Sequence, residues 1–326
     1  MNKVRVAVIG VGYLGKFHAE KYHKMEDVEL IAVVDTKIER AKEVAKKFNT
    51  QFYTDYTQIL NVVDAVSVVV PTPLHYPITM DLFEHNIDVM VEKPMTTTLE
   101  QAKTLNRIAK EKKLIFQVGH LERFNGAIIA LNDILKEPLF IESHRLSAFT
   151  PRCLDVDVVL DLMIHDIDII LSISRSKVKS IHAVGVPIIT SYVDIANARI
   201  EFENGCVANI TASRVSKETM RRIRIFQEDA YISIDYETQN IFVTKKVPNI
   251  SIGPFPMIKS KKLEINKSDS LELELKSFIN SVKTRRKPVV SGEEGEIALE
   301  VALEITNLIN ETIDKKKKKL GIDQLP

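Results

Sequence analysis

Three glycines, in the order Gly10-Val11-Gly12-Tyr13-Leu14-Gly15, stand between an apolar run over residues 4–9 and an amphipathic stretch over residues 15–24. A strand, a glycine turn and a helix in that order leave few folds open. The first glycine permits a tight turn, the second lets phosphates approach the backbone, and the third lets helix and strand pack closely. The first N–H groups of such a helix lack partners within it and favour an anion. A second apolar run ends at Asp35, twenty positions after Gly15. A carboxylate there can accept the hydroxyls of an adenosine ribose. The context reads as a dinucleotide site over Gly10, Gly12, Tyr13, Leu14, Gly15 and Asp35. A carboxylate also repels a 2′-phosphate, which favours NAD over NADP, although Lys37 and Arg40 lie near enough to keep NADP open.

The pattern around this motif sets the fold class as α/β. Residues 4–9, 29–34, 65–70, 89–91 and 114–118 are short runs rich in Val and Ile, separated by helical patterns over 15–24, 38–48, 78–85 and 99–112. Strands apolar on both faces and alternating with helices predict a doubly wound parallel sheet of the Rossmann type. Beyond residue 122 the runs 139–149, 178–186, 195–202, 207–212, 223–227, 231–236 and 241–245 follow one another with little helix between. Tight turn signals such as Glu203-Asn204-Gly205 predict a mostly antiparallel sheet. Helices over 156–174, 271–284 and 293–314 are expected to cover one face of it. The expected division is residues 1–122 for the dinucleotide and 123–326 for substrate and oligomerisation, with the final helix returning onto the first domain.

Composition excludes several classes of function. The 326 residues carry 45 Lys and Arg against 44 Asp and Glu, so no cation surplus is available to displace counterions from nucleic acid. Cys153 and Cys206 cannot build a disulfide framework and read as reduced thiols. No apolar stretch approaches the roughly 18–20 residues of a membrane helix, and Met1-Asn2-Lys3 enters a strand without a signal peptide. The expectation is a cytoplasmic protein without membrane contact. The lysine run 315–319 reads as a solvated helix end.

Two further segments leave strand ends, where α/β sheets bind ligands. One is Pro71-Thr72-Pro73-Leu74-His75, able to pass beneath a nicotinamide ribose through Pro71, Thr72 and His75; the other is Glu92-Lys93-Pro94. On the otherwise apolar helix over 156–174, Asp161, His165 and Asp168 fall at i, i+4 and i+7 and share a face. A satisfied core histidine and a zinc site are the competing readings, and no third histidine in register supports the metal. No metal is therefore expected. The stretches 119–125 and 143–152 contain His120, Arg123, Phe124, Arg145 and Arg152, whose three guanidinium forks suit phosphate or surface ion pairs equally.

Taken in order, the glycine motif, Pro71–His75, Glu92-Lys93-Pro94, Asp161-x-x-x-His165 and Val290-Ser291-Gly292-Glu293 resemble the Gfo/Idh/MocA oxidoreductases along essentially the whole chain. The resemblance implies a C-terminal domain built on a large open sheet that often mediates dimers or tetramers. It also implies an NAD(P)-dependent oxidoreductase acting on CH–OH groups (EC 1.1.1). Lys93 would be the catalytic lysine, with Glu92 and Lys93 at the cofactor, and Asp161 and His165 would bind substrate and move its proton. A lysine at a strand end can steady a developing alkoxide, and a histidine titrates near working pH. The segments 119–125 and 143–152 resemble the family's nucleotide-sugar branch. That likeness implies oxidation at C3 of a UDP-linked N-acetylhexosamine such as UDP-N-acetylglucosamine, with a downstream aminotransferase, as in lipid A biosynthesis. The chain departs from many members over residues 153–160, where a glycine-rich stretch is replaced. A free sugar or polyol dehydrogenase and an NAD-sensing regulator stay open, the regulator disfavoured because Lys93, Asp161 and His165 are all present.

Overall fold

The computed structural model describes residues 3–150, 156–252, 255–265 and 267–320. By its contacts the chain forms two units, residues 1–124 with 269–299, and residues 125–268 with 300–326. The first holds β1 (Val4–Ile9), β2 (Val28–Val34), β3 (Gln51–Tyr53), β4 (Ala65–Val68), β5 (Asp88–Glu92) and β6 (Phe116–Gly119). Every pairing is parallel, in the order β3-β2-β1-β4-β5-β6. Val6, Val8, Val66 and Val89 have no solvent exposure, which is why these strands are apolar without alternation. Helices α1 (Gly15–Lys24), α2 (Ile38–Phe48), α3 (His75–Glu84) and α4 (Leu99–Lys112) connect them. Strand order reverses between β1 and β4, so the carboxyl ends of β1, β2, β4 and β5 open around one switch point.

Helix α7 (Ser270–Thr284) differs from expectation. Its Leu275, Phe278, Ile279 and Val282 are buried among Val4, Val6, Val8 and Tyr22 of the first unit rather than against the antiparallel sheet. Gln117 of β6 donates to the Glu274 carbonyl at 3.1 Å, and Arg285 closes an ion pair with Asp88. The apolar stripe of α7 reveals that it packs, but not on which sheet. Helix α8 (Gly292–Leu320) gives its first turns to the same unit and the rest to the second. It continues through the lysine run, where Lys315 lies 3.6 Å from Glu311.

The second unit begins with α5 (Gly126–Leu131) and is dominated by eight strands, β7 (Pro138–Leu146), β8 (Val178–Val186), β9 (Ile195–Phe202), β10 (Val207–Ser213), β11 (Met220–Gln227), β12 (Ala230–Asp235), β13 (Asn240–Ile252) and β14 (Phe255–Leu263). Their order is β14-β13-β12-β11-β7-β10-β9-β8, antiparallel except where β7 meets β10. Alternation follows the pleat. In β9, Ala196, Ala198 and Ile200 point inward while Asn197 and Arg199 face out. Helix α6 (Ile164–Ser174) packs its isoleucines on β7 and β10. Cys206 is buried, and burial pushes its thiol up to about 11. No helix among the described residues is long and apolar enough to cross a membrane.

One polar knot sits inside this unit. Asp194 Oδ2 accepts hydrogen bonds from the backbone N–H groups of Ile188, Ile189 and Thr190 at 2.8, 2.6 and 2.9 Å, and Oδ1 accepts from Arg214 Nε at 2.9 Å. Burial works to raise the Asp194 pKa, but these donors outweigh it and hold the carboxyl well below the ordinary range. A depressed folded-state pKa adds stability that is complete above the unfolded value, about 3.9, and fades as pH falls through the folded one. Urea midpoints of the parent and Asp194→Asn proteins should therefore be far apart at neutral pH and converge below about pH 4. A constant gap would contradict the assignment.

Candidate active site

The glycine turn is shaped as its spacing requires. Gly10 has φ +85°, donates to Val34 O at 2.7 Å, and a Cβ on it would lie 2.2 Å from Val69 O. A Cβ on Gly15 would meet Gly10 O at 1.8 Å, so this glycine joins α1 to the turn. Gly12 differs, because a Cβ there would meet only the Arg40 Nη1, at 3.6 Å. Space is thus kept open over Gly12 beside an α1 N-terminus that no side chain caps. Tyr13 is exposed beside Phe17, and Leu14 is the residue at the N-cap. Asp35 is buried. Its Oδ2 accepts from Val11 N at 3.1 Å and from Arg40 Nη1 at 3.1 Å, and its Oδ1 accepts from Lys37 N at 2.9 Å. An open glycine cradle, a free helix start and a carboxylate fixed at the end of β2 fit a dinucleotide.

Lys93 leaves the carboxyl end of β5, half-buried. Pro71 is exposed and Thr72 half-buried at the end of β4, so both lie open on the same edge of the sheet. His75 is placed differently from expectation. It is 1% exposed, with Nδ1 2.9 Å from Pro94 O and Nε2 2.8 Å from Val70 O. Neutral imidazole carries one N–H and donates to one of these carbonyls at a time. Burial lowers the His75 pKa and favours that neutral form. His75 therefore staples the loop after β4 to the loop holding Lys93 from beneath. Glu92 also faces inward, 3.2 Å from His18 Nε2 and against Gly119, where a Cβ would come within 2.9 Å of its carboxylate. His18 escaped the sequence reading, since nothing in its surroundings along the chain marks it. His120 and Phe124 are buried, and Arg123 is half-buried.

In the second unit the acidic and imidazole groups follow an irregular helix. Asp157 Oδ1 caps it by accepting from Val159 N and Leu160 N, each at 2.9 Å. Residues Val159–Met163 then form a π-helical turn, closed by the Ile164 N–H reaching back to Val159 O, before α6 starts. Uniform α-helix was the expected form, and single π-turns occur preferentially at functional sites. Asp161 lies within the turn and His165 just after it, both half-buried, while Asp168 is 2% exposed. Arg145, offered by the sequence to an anion, is instead 4% exposed and donates from Nε to Asp166 Oδ2 at 2.6 Å. Alternation along β7 turns residue 145 inward, where a lone guanidinium needs a partner. Arg152 lies outside the described residues.

Known proteins share the two-part fold. Residues 4–120 match the oxidoreductase family with an NAD-binding Rossmann fold, and residues 144–233 match the Gfo/Idh/MocA C-terminal domain. A UDP-N-acetylglucosamine 3-dehydrogenase from Acidithiobacillus ferrooxidans is 36% identical over 306 residues, covering 94% of this chain and 97% of that protein. A scyllo-inositol 2-dehydrogenase (NAD(+)) from Bacillus subtilis is 27% identical, covering 94% of each. A solved structure of UDP-N-acetylglucosamine 3-dehydrogenase from Acidithiobacillus ferrooxidans superposes with a TM-score of 0.90 at 35% identity, over 95% of this chain and 98% of that one. With a nicotinamide-binding unit, a mixed-sheet second unit and this similarity over nearly its whole length, the chain belongs to the Gfo/Idh/MocA family of oxidoreductases.

Proposed function

We propose that the protein is an NAD-dependent dehydrogenase that oxidises the C3 hydroxyl of a UDP-linked N-acetylhexosamine to a ketone. The observation that carries the substrate is the 36% identity to a UDP-N-acetylglucosamine 3-dehydrogenase along 97% of that protein. Asp35 supports NAD, because its buried carboxylate stands where a 2′-phosphate would bring further negative charge. Bound nicotinamide supplies the acceptor for the hydride leaving C3. Lys93 donates a hydrogen bond from Nζ to the reacting oxygen and steadies its developing charge. His165 takes the hydroxyl proton. Asp161 binds substrate in the same reading. The exposed Phe226 and Phe242, on one face of the eight-stranded sheet, suit pairing with a second copy of the chain.

The test is absorbance at 340 nm on mixing the protein with NAD⁺ and UDP-N-acetylglucosamine, with an amine donor and an aminotransferase present to consume the ketone. Absorbance should grow, stay flat with free N-acetylglucosamine, and grow only weakly with NADP⁺. A flat trace from protein that demonstrably binds NAD⁺ would reject this substrate and leave a free sugar or polyol as the second choice.

A further inference from the structure

Two buried arginine–aspartate pairs flank the π-turn, one on each side. Before it, Arg214 bonds Asp194 through Nε at 2.9 Å and donates from Nη1 to Val156 O at 2.8 Å, while Val158 N donates to Val193 O at 2.9 Å. After it, Asp166 follows His165 directly and accepts from Ser143 Oγ at 2.7 Å and from Arg145 Nε at 2.6 Å, both donors on β7. The four charged side chains are at most 5% exposed.

We propose that Arg214–Asp194 and Arg145–Asp166 are positioning pairs that clamp the π-turn and hold Asp161 and His165 in one working register. The proposal rests on the catalytic reading of those two residues given above. A π-turn holds an extra residue and is rare because α-helical bonding is better. It relaxes by passing one residue back into the preceding segment, and each residue so passed rotates the side chains before it by about 100° relative to those after it. Arg214 and Val193 fix the chain at Val156 and Val158, so no residue can be taken up on that side. Ser143 and Arg145 fix Asp166, so the helix cannot turn on the other. Stability alone does not account for such pairs, since apolar residues of similar volume often replace a buried ion pair without loss. Their placement at both ends of this irregular turn does account for them. Arg145 thereby gains a role on the protein's own helix.

The same property provides the test. The double variant Arg145→Met/Asp166→Leu replaces one pair with apolar side chains. It should melt no lower than the parent and bind NAD⁺ as well. Amide exchange over residues 157–163 should quicken, and kcat should fall by about 10²-fold, the scale expected for reacting groups displaced by about 1 Å. Unchanged exchange and unchanged kcat, beside a His165→Ala protein that has lost turnover, would overturn the clamp. Should the double variant not fold, Asp166→Asn keeps an acceptor for Ser143, removes the charge, and is judged by the same two measurements. If His165→Ala retains full turnover, the catalytic reading fails, while the exchange rates still decide whether the turn is clamped.

Discussion

Lys93→Ala and His165→Ala should each lower kcat by about 10²–10⁴ and leave NAD⁺ affinity close to that of the parent protein. At about 1.4 kcal/mol per tenfold, that is roughly 3–5 kcal/mol of transition-state stabilisation from each side chain. The separation of rate from binding follows from where the residues stand. NAD⁺ affinity is expected from the Gly12 cradle, the start of α1 and Asp35, all of which belong to the first unit, whereas His165 belongs to the second. Lys93 leaves the sheet at β5, away from the β1–β2 end that holds Asp35. Lys93→Arg should restore little, because a planar fork cannot present a compact ammonium to one oxygen. The double variant should be scarcely slower than the worse single one, since groups acting on one proton and one oxygen are not additive. Steady-state kcat and a fluorescence titration with NADH provide the two readouts. Turnover within a few-fold of the parent in both single variants would remove these residues from the chemistry.

Much of this was legible in the sequence because it depends on short-range rules. The glycine spacing fixes the turn, Val- and Ile-rich runs fix the buried strands, and β8 and β9 begin and end where their alternation does. The parts that escaped depend on tertiary partners. Strand β14 carries Pro256 and three lysines and is not among the apolar runs of the sequence, yet it pairs as an edge strand, where proline and lysine are tolerated. Strand β3 is three residues long and half-exposed, too short for a period. The π-turn looks apolar and helical in sequence, because one extra residue in a turn leaves the composition unchanged. His75 and Arg145 carried the right chemistry for a ligand, and the backbone turned both inward to satisfy the protein's own groups. Side-chain direction, not residue type, separated the residues that open onto the sheet edge from those that support it.

The three glycines should separate into two kinds when each is replaced by alanine, and this is the sharpest test of the cofactor site. At Gly10 the new methyl meets φ +85° and a carbonyl 2.2 Å away, and at Gly15 it meets the Gly10 carbonyl at 1.8 Å. Backbone atoms cannot swing aside as a side-chain tip can, so both variants should lose about 3–5 kcal/mol, the range of the most damaging single substitutions. For a unit of this size that is a fall in Tm of order 10 °C. Gly12→Ala should behave otherwise. Its φ lies outside the left-handed region and its methyl would touch only the tip of Arg40, at 3.6 Å, so Tm should stay where it is. The methyl does fill the space through which phosphates reach the backbone at the start of α1. NAD⁺ binding should therefore weaken at least about tenfold, some 1.4 kcal/mol, with no loss of stability. Differential scanning fluorimetry with and without NAD⁺ reads both quantities at once. The decisive result is a Gly12→Ala protein that melts like the parent alone and gains little from the cofactor. A Gly12→Ala protein stabilised by NAD⁺ as fully as the parent would mean that the phosphates lie elsewhere.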